Sequence, residues 1–157
     1  MTDPAAVHGN FTIKRRYPAT PAKVFAACAD PAIKKTWYAE SDTHEIKAFE
    51  SDFRVGGAER LTYLFGPDTP FPGVELTNEG VFHDIVDGRR IIISSRMGIA
   101  GRPISVALET MEVAEADGGT DLTCTFQGVF FEGSDGRAMR EQGWSDLLDR
   151  LGRLLVG

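Results

Sequence analysis

The side chains best suited to chemistry are few and widely spaced. Three histidines (His8, His44, His83) and two cysteines (Cys28, Cys124) form no CxxC, HxH or HExxH spacing. A metal needs several such donors converging, so no metal and no other cofactor is expected. No GxSxG, P-loop or GxGxxG run precedes a helical stretch, which removes the nucleophile elbow and the usual phosphate cradles. Gly56-Gly57 opens a strand, where paired glycines mark a bulge. Glu109 and Glu112 fall on opposite faces of one strand, so they make no facing carboxylate pair for acid-base work. His83 alternates with Val81 and Ile85. A neutral imidazole between aliphatic neighbours suits a general base near pH 7, but such a histidine more often donates to a backbone carbonyl or turns outward at a bulge. Tyr63 and Ser95 carry hydroxyls suited to orienting a ligand oxygen, while His44, near a strand end, is expected to be exposed.

These residues need elements to position them. Phe11, Ile13, Arg15 and Tyr17 alternate with polar neighbours in a first strand that Pro18 ends. Thr20-Pro21 reads as an N-cap and first helical residue, and Asp30-Pro31 repeats that signal for a second short helix through Ile33 to Trp37. Six strands are expected at 43–49, 58–65, 79–86, 90–97, 104–113 and 120–126, joined by turns at Asp87-Gly88, 98–101 and 117–119. Tight turns imply antiparallel pairing. From Asp135 onward Met139, Trp144, Leu147, Leu148, Leu151, Leu154 and Leu155 recur at three and four, predicting an amphipathic helix whose large partner is the sheet. Gly143 and Gly152 interrupt it; a close approach by another backbone accounts for such glycines, and so does neutral drift. The fold class is α+β, in the order β-αα-β6-α.

Composition narrows the partners. The 157 residues are 42% hydrophobic and 25% charged, an ordinary globular mixture that makes one domain, 1–157, with 1–9 expected to be flexible. By area scaling such a chain buries about 69% of its unfolded surface, enough for a core without staples. The net charge of −6, with basic residues scattered rather than striped, argues against nucleic acid. No apolar run is long enough to span a membrane, and the first ten residues lack the basic start and apolar stretch of a signal peptide. A cytoplasmic protein with two buried free thiols is the expectation.

The order of elements, together with Pro21-Ala22-Lys23-Val24-Phe25, Asp30-Pro31 leading to Trp37, Phe53-Arg54-Val55-Gly56-Gly57, Gly80 opening a strand toward Arg90, Gly119-Thr120-Asp121-Leu122-Thr123 and Gly143-Trp144 with Leu147, Leu148 and Leu151, resembles a known family. The chain is similar to bacterial AHSA-type proteins, homologues of the C-terminal domain of the heat-shock ATPase activator. They belong to the START-like, or Bet v-like, SRPBCC superfamily and are often labelled polyketide-cyclase-like. The resemblance spans about Asn10 to Leu155. It implies a helix-grip fold in which a curved antiparallel sheet and the long C-terminal helix enclose a cavity, and it carries no shared catalytic set.

In that fold strand parity nominates the cavity walls: Tyr63, Phe65, His83, Ser95, Leu108, Thr110, Cys124 and Phe126, with Trp37 at a rim and Trp144 projecting from the helix. Ile46 and Ala48 are expected to bring His44 inward with them. An apolar pocket with a few polar groups suits a small hydrophobic or aromatic ligand, and this binding role is the reading the sequence favours. Two alternatives stand beside it, the second using the same cavity. One is a protein-interaction module of the chaperone-activator kind, for which no contacting surface is marked. The other is a cyclase, isomerase or hydrolase using His83 or Tyr63 as acid or base. A homodimer is compatible with either.

Overall fold

A computed structural model of the protein describes residues 5–156. Strand β1 (Val7–Tyr17) is followed by α1 (Pro21–Ala29) and α2 (Pro31–Lys34), which widens into a π-helical turn, Lys35–Ala39. Six further strands follow: β2 (His44–Ser51), β3 (Ala58–Phe65), β4 (Glu75–Val86), β5 (Arg90–Ile99), β6 (Arg102–Ala116) and β7 (Gly119–Phe130). Helix α3 (Gly136–Val156) closes the chain. The seven strands form one antiparallel sheet in the order β1-β7-β6-β5-β4-β3-β2. β1 and β2 are therefore the two edges, and the helical segment between them carries the chain from one edge to the other.

Local chemistry explains the helical segment. The Thr20 hydroxyl accepts from the Lys23 amide at 3.2 Å and the Asp30 carboxylate from the Ala32 amide at 2.9 Å, each cap being followed by proline. In the π turn the wider helical spacing lets consecutive side chains, Trp37 and Tyr38, both reach the interior. Trp37 is fixed by its indole N–H, which donates to the Ala27 carbonyl at 2.9 Å.

β1 begins at Val7, earlier than expected, because Val7–Gly9 pair with Gly128–Phe130. Of the segment expected to be flexible, residues 1–4 lie outside the described residues. The concave face of the sheet and the inner stripe of α3 (Arg140, Trp144, Leu148, Leu151, Leu155) bury the core. Phe126 stacks between Phe11 and Phe130, with centroids 4.7 and 5.8 Å away. The Tyr17 hydroxyl donates to the Leu148 carbonyl at 2.7 Å, and a Cβ on Gly152 would stand 3.1 Å from the Tyr17 ring. A side chain thus fills the close approach at Gly152, whereas nothing lies within 4 Å of a Cβ on Gly143.

Two strands correct the expected parity. In β4 the inward residues are Leu76, Asn78, Gly80 and Phe82; a bulge at His83 shifts the register, and Ile85 resumes the inner face. Val81 and His83 consequently point outward. In β6 Ile104 is buried at the start, and from there the buried residues are Ser105, Ala107, Glu109, Met111 and Val113, which places Val106, Leu108 and Thr110 on the outer face. Both faces of β6 carry aliphatic residues, so alternation alone left its parity open. A smaller shift at Lys47 places Ala48 opposite Thr62 and returns Phe49 to the face of Leu61.

Candidate functional site

The pairing register creates an indentation. Ser51, Glu59, Gly80, Ser95, Ala107 and Gly128 lie side by side across six adjacent strands. Their side chains are small except for Glu59, so the concave face is hollowed beneath α3. Gly80 is required there, since a Cβ would meet Ile93 Cδ1 at 2.7 Å and the Ser94 carbonyl at 2.9 Å. The π turn and Trp144 roof the hollow and leave a cavity of ≈ 30 Å³, room for one or two water molecules.

Three aromatic rings form part of its wall. Tyr38 stands 5.9 Å from Trp37 and 6.1 Å from Trp144, centroid to centroid. Leu61, Ile91, Ile93 and Met111 supply aliphatic surface, and the polar members are Lys34, Glu59, Asn78, Ser95 and Glu109. Lys34 Nζ donates to both Glu59 oxygens at 2.7 and 2.9 Å and lies 4.7 Å from the Tyr38 ring centroid, while the Ser51 hydroxyl donates to Glu59 Oε2 at 2.9 Å. Glu59 is 5% exposed and Glu109 6%. The Ser95 hydroxyl donates to Glu109 Oε1 in a short bond. Asn78 Nδ2 donates to the Tyr38 hydroxyl oxygen at 2.9 Å, and Asn78 Oδ1 is buried with no partner among the described residues.

Burial dominates the titration of these groups. It raises the Glu109 carboxyl above the usual carboxylate range, against the opposing pull of the Ser95 hydrogen bond and the Lys34 and Arg140 charges. It also holds the Tyr38 hydroxyl well above the ordinary tyrosine value, reinforced by the nearby charges of Glu109 and Glu59. The Cys28 thiol at the cavity wall is pushed up to about 12 by burial, which makes it a poor nucleophile. The site is therefore hydrogen-bonding and largely charge-compensated, with a carboxyl group biased toward its neutral form.

Of the residues nominated by strand parity, Trp37, Ser95 and Trp144 line this cavity. Cys124 and Phe126 face inward but are packed in the core beside it. Tyr63 and Phe65 lie near the far end of β3, where Tyr63 stacks on His44 at 3.8 Å and meets Phe65 edge-on at 5.2 Å. His44 is thus half-buried rather than exposed, and its Nε2 is 2.5 Å from the Ala39 carbonyl. His83, Leu108 and Thr110 are away from the cavity on the outer face, where His83 Nε2 lies 2.6 Å from Ser94 Oγ. Lys34, Tyr38, Glu59, Asn78 and Glu109 are the members that sequence reasoning missed. The period shared by Glu59 and Leu61 carries the signal for one of them, and the period of Ala107, Glu109 and Met111 for another. Lys34 and Tyr38 depend on the π turn, which leaves no readable pattern. No cluster of three or more His, Cys, Asp or Glu side chains among the described residues is placed to hold a metal ion. Among the described residues no helix is long and apolar enough to cross a membrane.

A curved antiparallel sheet gripping a C-terminal helix over a partly polar cavity defines a helix-grip protein of the START-like class. Within it, this chain belongs to the family described as Activator of Hsp90 ATPase homolog 1-like protein, whose model matches residues 18–156. A solved protein of Rhizobium leguminosarum is 32% identical, with 98% of each chain covered and a TM-score of 0.88. The Mll3558 protein of Rhizobium loti is 40% identical over 95% of this chain and 98% of its own, with a TM-score of 0.85. CalU16 of Micromonospora echinospora, 20% identical over 98% of this chain and 87% of its own, shares the fold at a TM-score of 0.60. No curated protein matches the sequence.

Proposed function

We propose that this protein is a cytoplasmic binding protein for a small aromatic molecule held between the sheet and α3. The observation that carries the reading is the polar set, Lys34, Glu59, Asn78, Ser95 and Glu109, gathered under three aromatic rings at one hollow. A core serving stability alone is better filled with apolar side chains, because desolvating charges costs more than their pairing returns. Few polar groups converging within apolar walls are the usual make-up of a small-molecule site. The two free, buried cysteines fit a reducing compartment. A ring needs more room than the resting cavity offers, so it enters by parting Trp144 from Tyr38, whose ring centroids stand 6.1 Å apart.

Ligand-observed NMR with a panel of single-ring aromatic compounds tests the reading. Saturable binding is expected, and Trp144→Ala is expected to weaken it while the protein stays folded, because the ring loses a wall. Affinity unchanged in that variant, or no saturable binding across the panel, removes the proposal.

A further inference from the structure

Within that binding reading, on which the argument rests, the cavity's hydrogen bonds specify a ligand class. Asn78 Nδ2 is committed to the Tyr38 oxygen, which leaves Asn78 Oδ1 a buried acceptor with nothing to accept. The Tyr38 hydroxyl accepts the Asn78 bond and has a proton of its own to give, with no acceptor among the described residues. An unmet acceptor and an unmet donor therefore adjoin one another at the same cavity, which is wide enough for a water.

We infer that the cavity selects a neutral ring bearing a hydroxyl, a phenol, whose hydroxyl donates to Asn78 Oδ1 and accepts from Tyr38. A hydroxyl is donor and acceptor in one atom, so it satisfies both groups together. The charges exclude the alternatives. Lys34 and Glu59 already neutralise one another, so neither an anionic nor a cationic ring finds a free counter-charge to offset its desolvation. The rings of Trp37 and Trp144 and the side chains of Leu61 and Ile93 accept the aromatic body.

Phenol and toluene differ by a hydroxyl for a methyl at nearly the same volume, and benzoate adds the negative charge. Each is titrated into ¹⁵N-labelled protein while the two indole N–H resonances, one from each tryptophan of the chain, are followed. Phenol is expected to bind at least tenfold more tightly than toluene, and benzoate not to bind. Asn78→Leu is expected to erase most of the phenol preference, since the phenol hydroxyl then loses its acceptor while giving up its hydrogen bonds to water. Tyr38→Phe removes the donor to the phenol oxygen and narrows the phenol preference, and the wild-type comparison stands whether or not either variant folds. Toluene binding as tightly as phenol overturns the specificity and leaves the cavity as a binding site. A phenol preference that survives both substitutions overturns the assignment to Asn78 and Tyr38. Binding by none of the three rings overturns both the specificity and the binding reading beneath it.

Discussion

Lys34 and Glu59 set the energetics of the cavity at the scale of single residues. Glu59 is buried and Lys34 half-buried, and the ammonium group contacts both carboxylate oxygens. Removing one partner leaves an uncompensated buried charge, so Lys34→Met is expected to destabilise the fold by about 3 kcal/mol, whereas the double variant Lys34→Met/Glu59→Met recovers most of that loss. Urea unfolding of the wild type and three variants, the third being Glu59→Met, measures the coupling; additive losses refute it. Glu109 gives a pH-dependent counterpart. Its carboxyl titrates higher in the folded state, through burial, than in the unfolded chain. As pH rises past the unfolded value the unfolded chain releases its proton first, so folding stability falls until the native group has ionised too. Glu109→Gln keeps a neutral side chain beside Ser95 and escapes that loss. Its stability advantage over the wild type should grow from pH 3 to pH 7 in parallel melting curves, and a constant difference contradicts the assignment. Asp135 acts in the opposite sense. Burial pushes its carboxyl up, but the Arg140 hydrogen bonds and charge outweigh that and leave it lowered, so its contribution is present at neutral pH and fades on acidification.

The two glycines of α3 separate helix propensity from packing at the scale of elements. Gly143 is exposed with open space around a Cβ, so Gly143→Ala should stabilise by about 1 kcal/mol, the usual gain in a helix interior. Gly152→Ala should yield no such gain, because the Tyr17 ring in its path is held by the bond to Leu148. Thermal unfolding of the two variants checks this, and equal gains would mean that the Tyr17 contact yields freely. Elements were legible in the sequence where one signal acted alone. Thr20-Pro21 and Asp30-Pro31 place both helix starts, and Leu122, Cys124 and Phe126 place the inner face of β7. The site was less legible because its residues depend on events that alternation does not encode. The bulge at His83 inverts the parity between Phe82 and Ile85. Val106 and Leu108 make the outer face of β6 look like an inner one and hide Glu109. The π turn brings Tyr38 inward beside Trp37. In each case a local departure from regular geometry positions, or displaces, a polar side chain.

Across the whole molecule the cavity separates two regions of unequal packing. On one side β6 and β7 carry a buried residue at every second position along most of their length and lie interior in the sheet. On the other, β2 is an edge strand with no fully buried residue, and the π turn leading into it is held over its length by long-ring backbone bonds such as Glu40 N–H to Lys35 O at 3.0 Å. Local opening follows low burial and exposed backbone bonds, so β2 should open first, and the π turn with it as Trp37 and Ala39 leave the core, while the rest of the sheet stays closed. That flank carries Tyr38, and its opening gives a ring access to the cavity without lifting α3. Native-state hydrogen exchange should therefore find amides 35–51 exchanging through sub-global openings at low denaturant. Amides of β6 and β7 should exchange only through global unfolding, with the matching denaturant dependence. Equal protection in both regions would mean that the cavity has no soft wall, and entry would then require α3 itself to move.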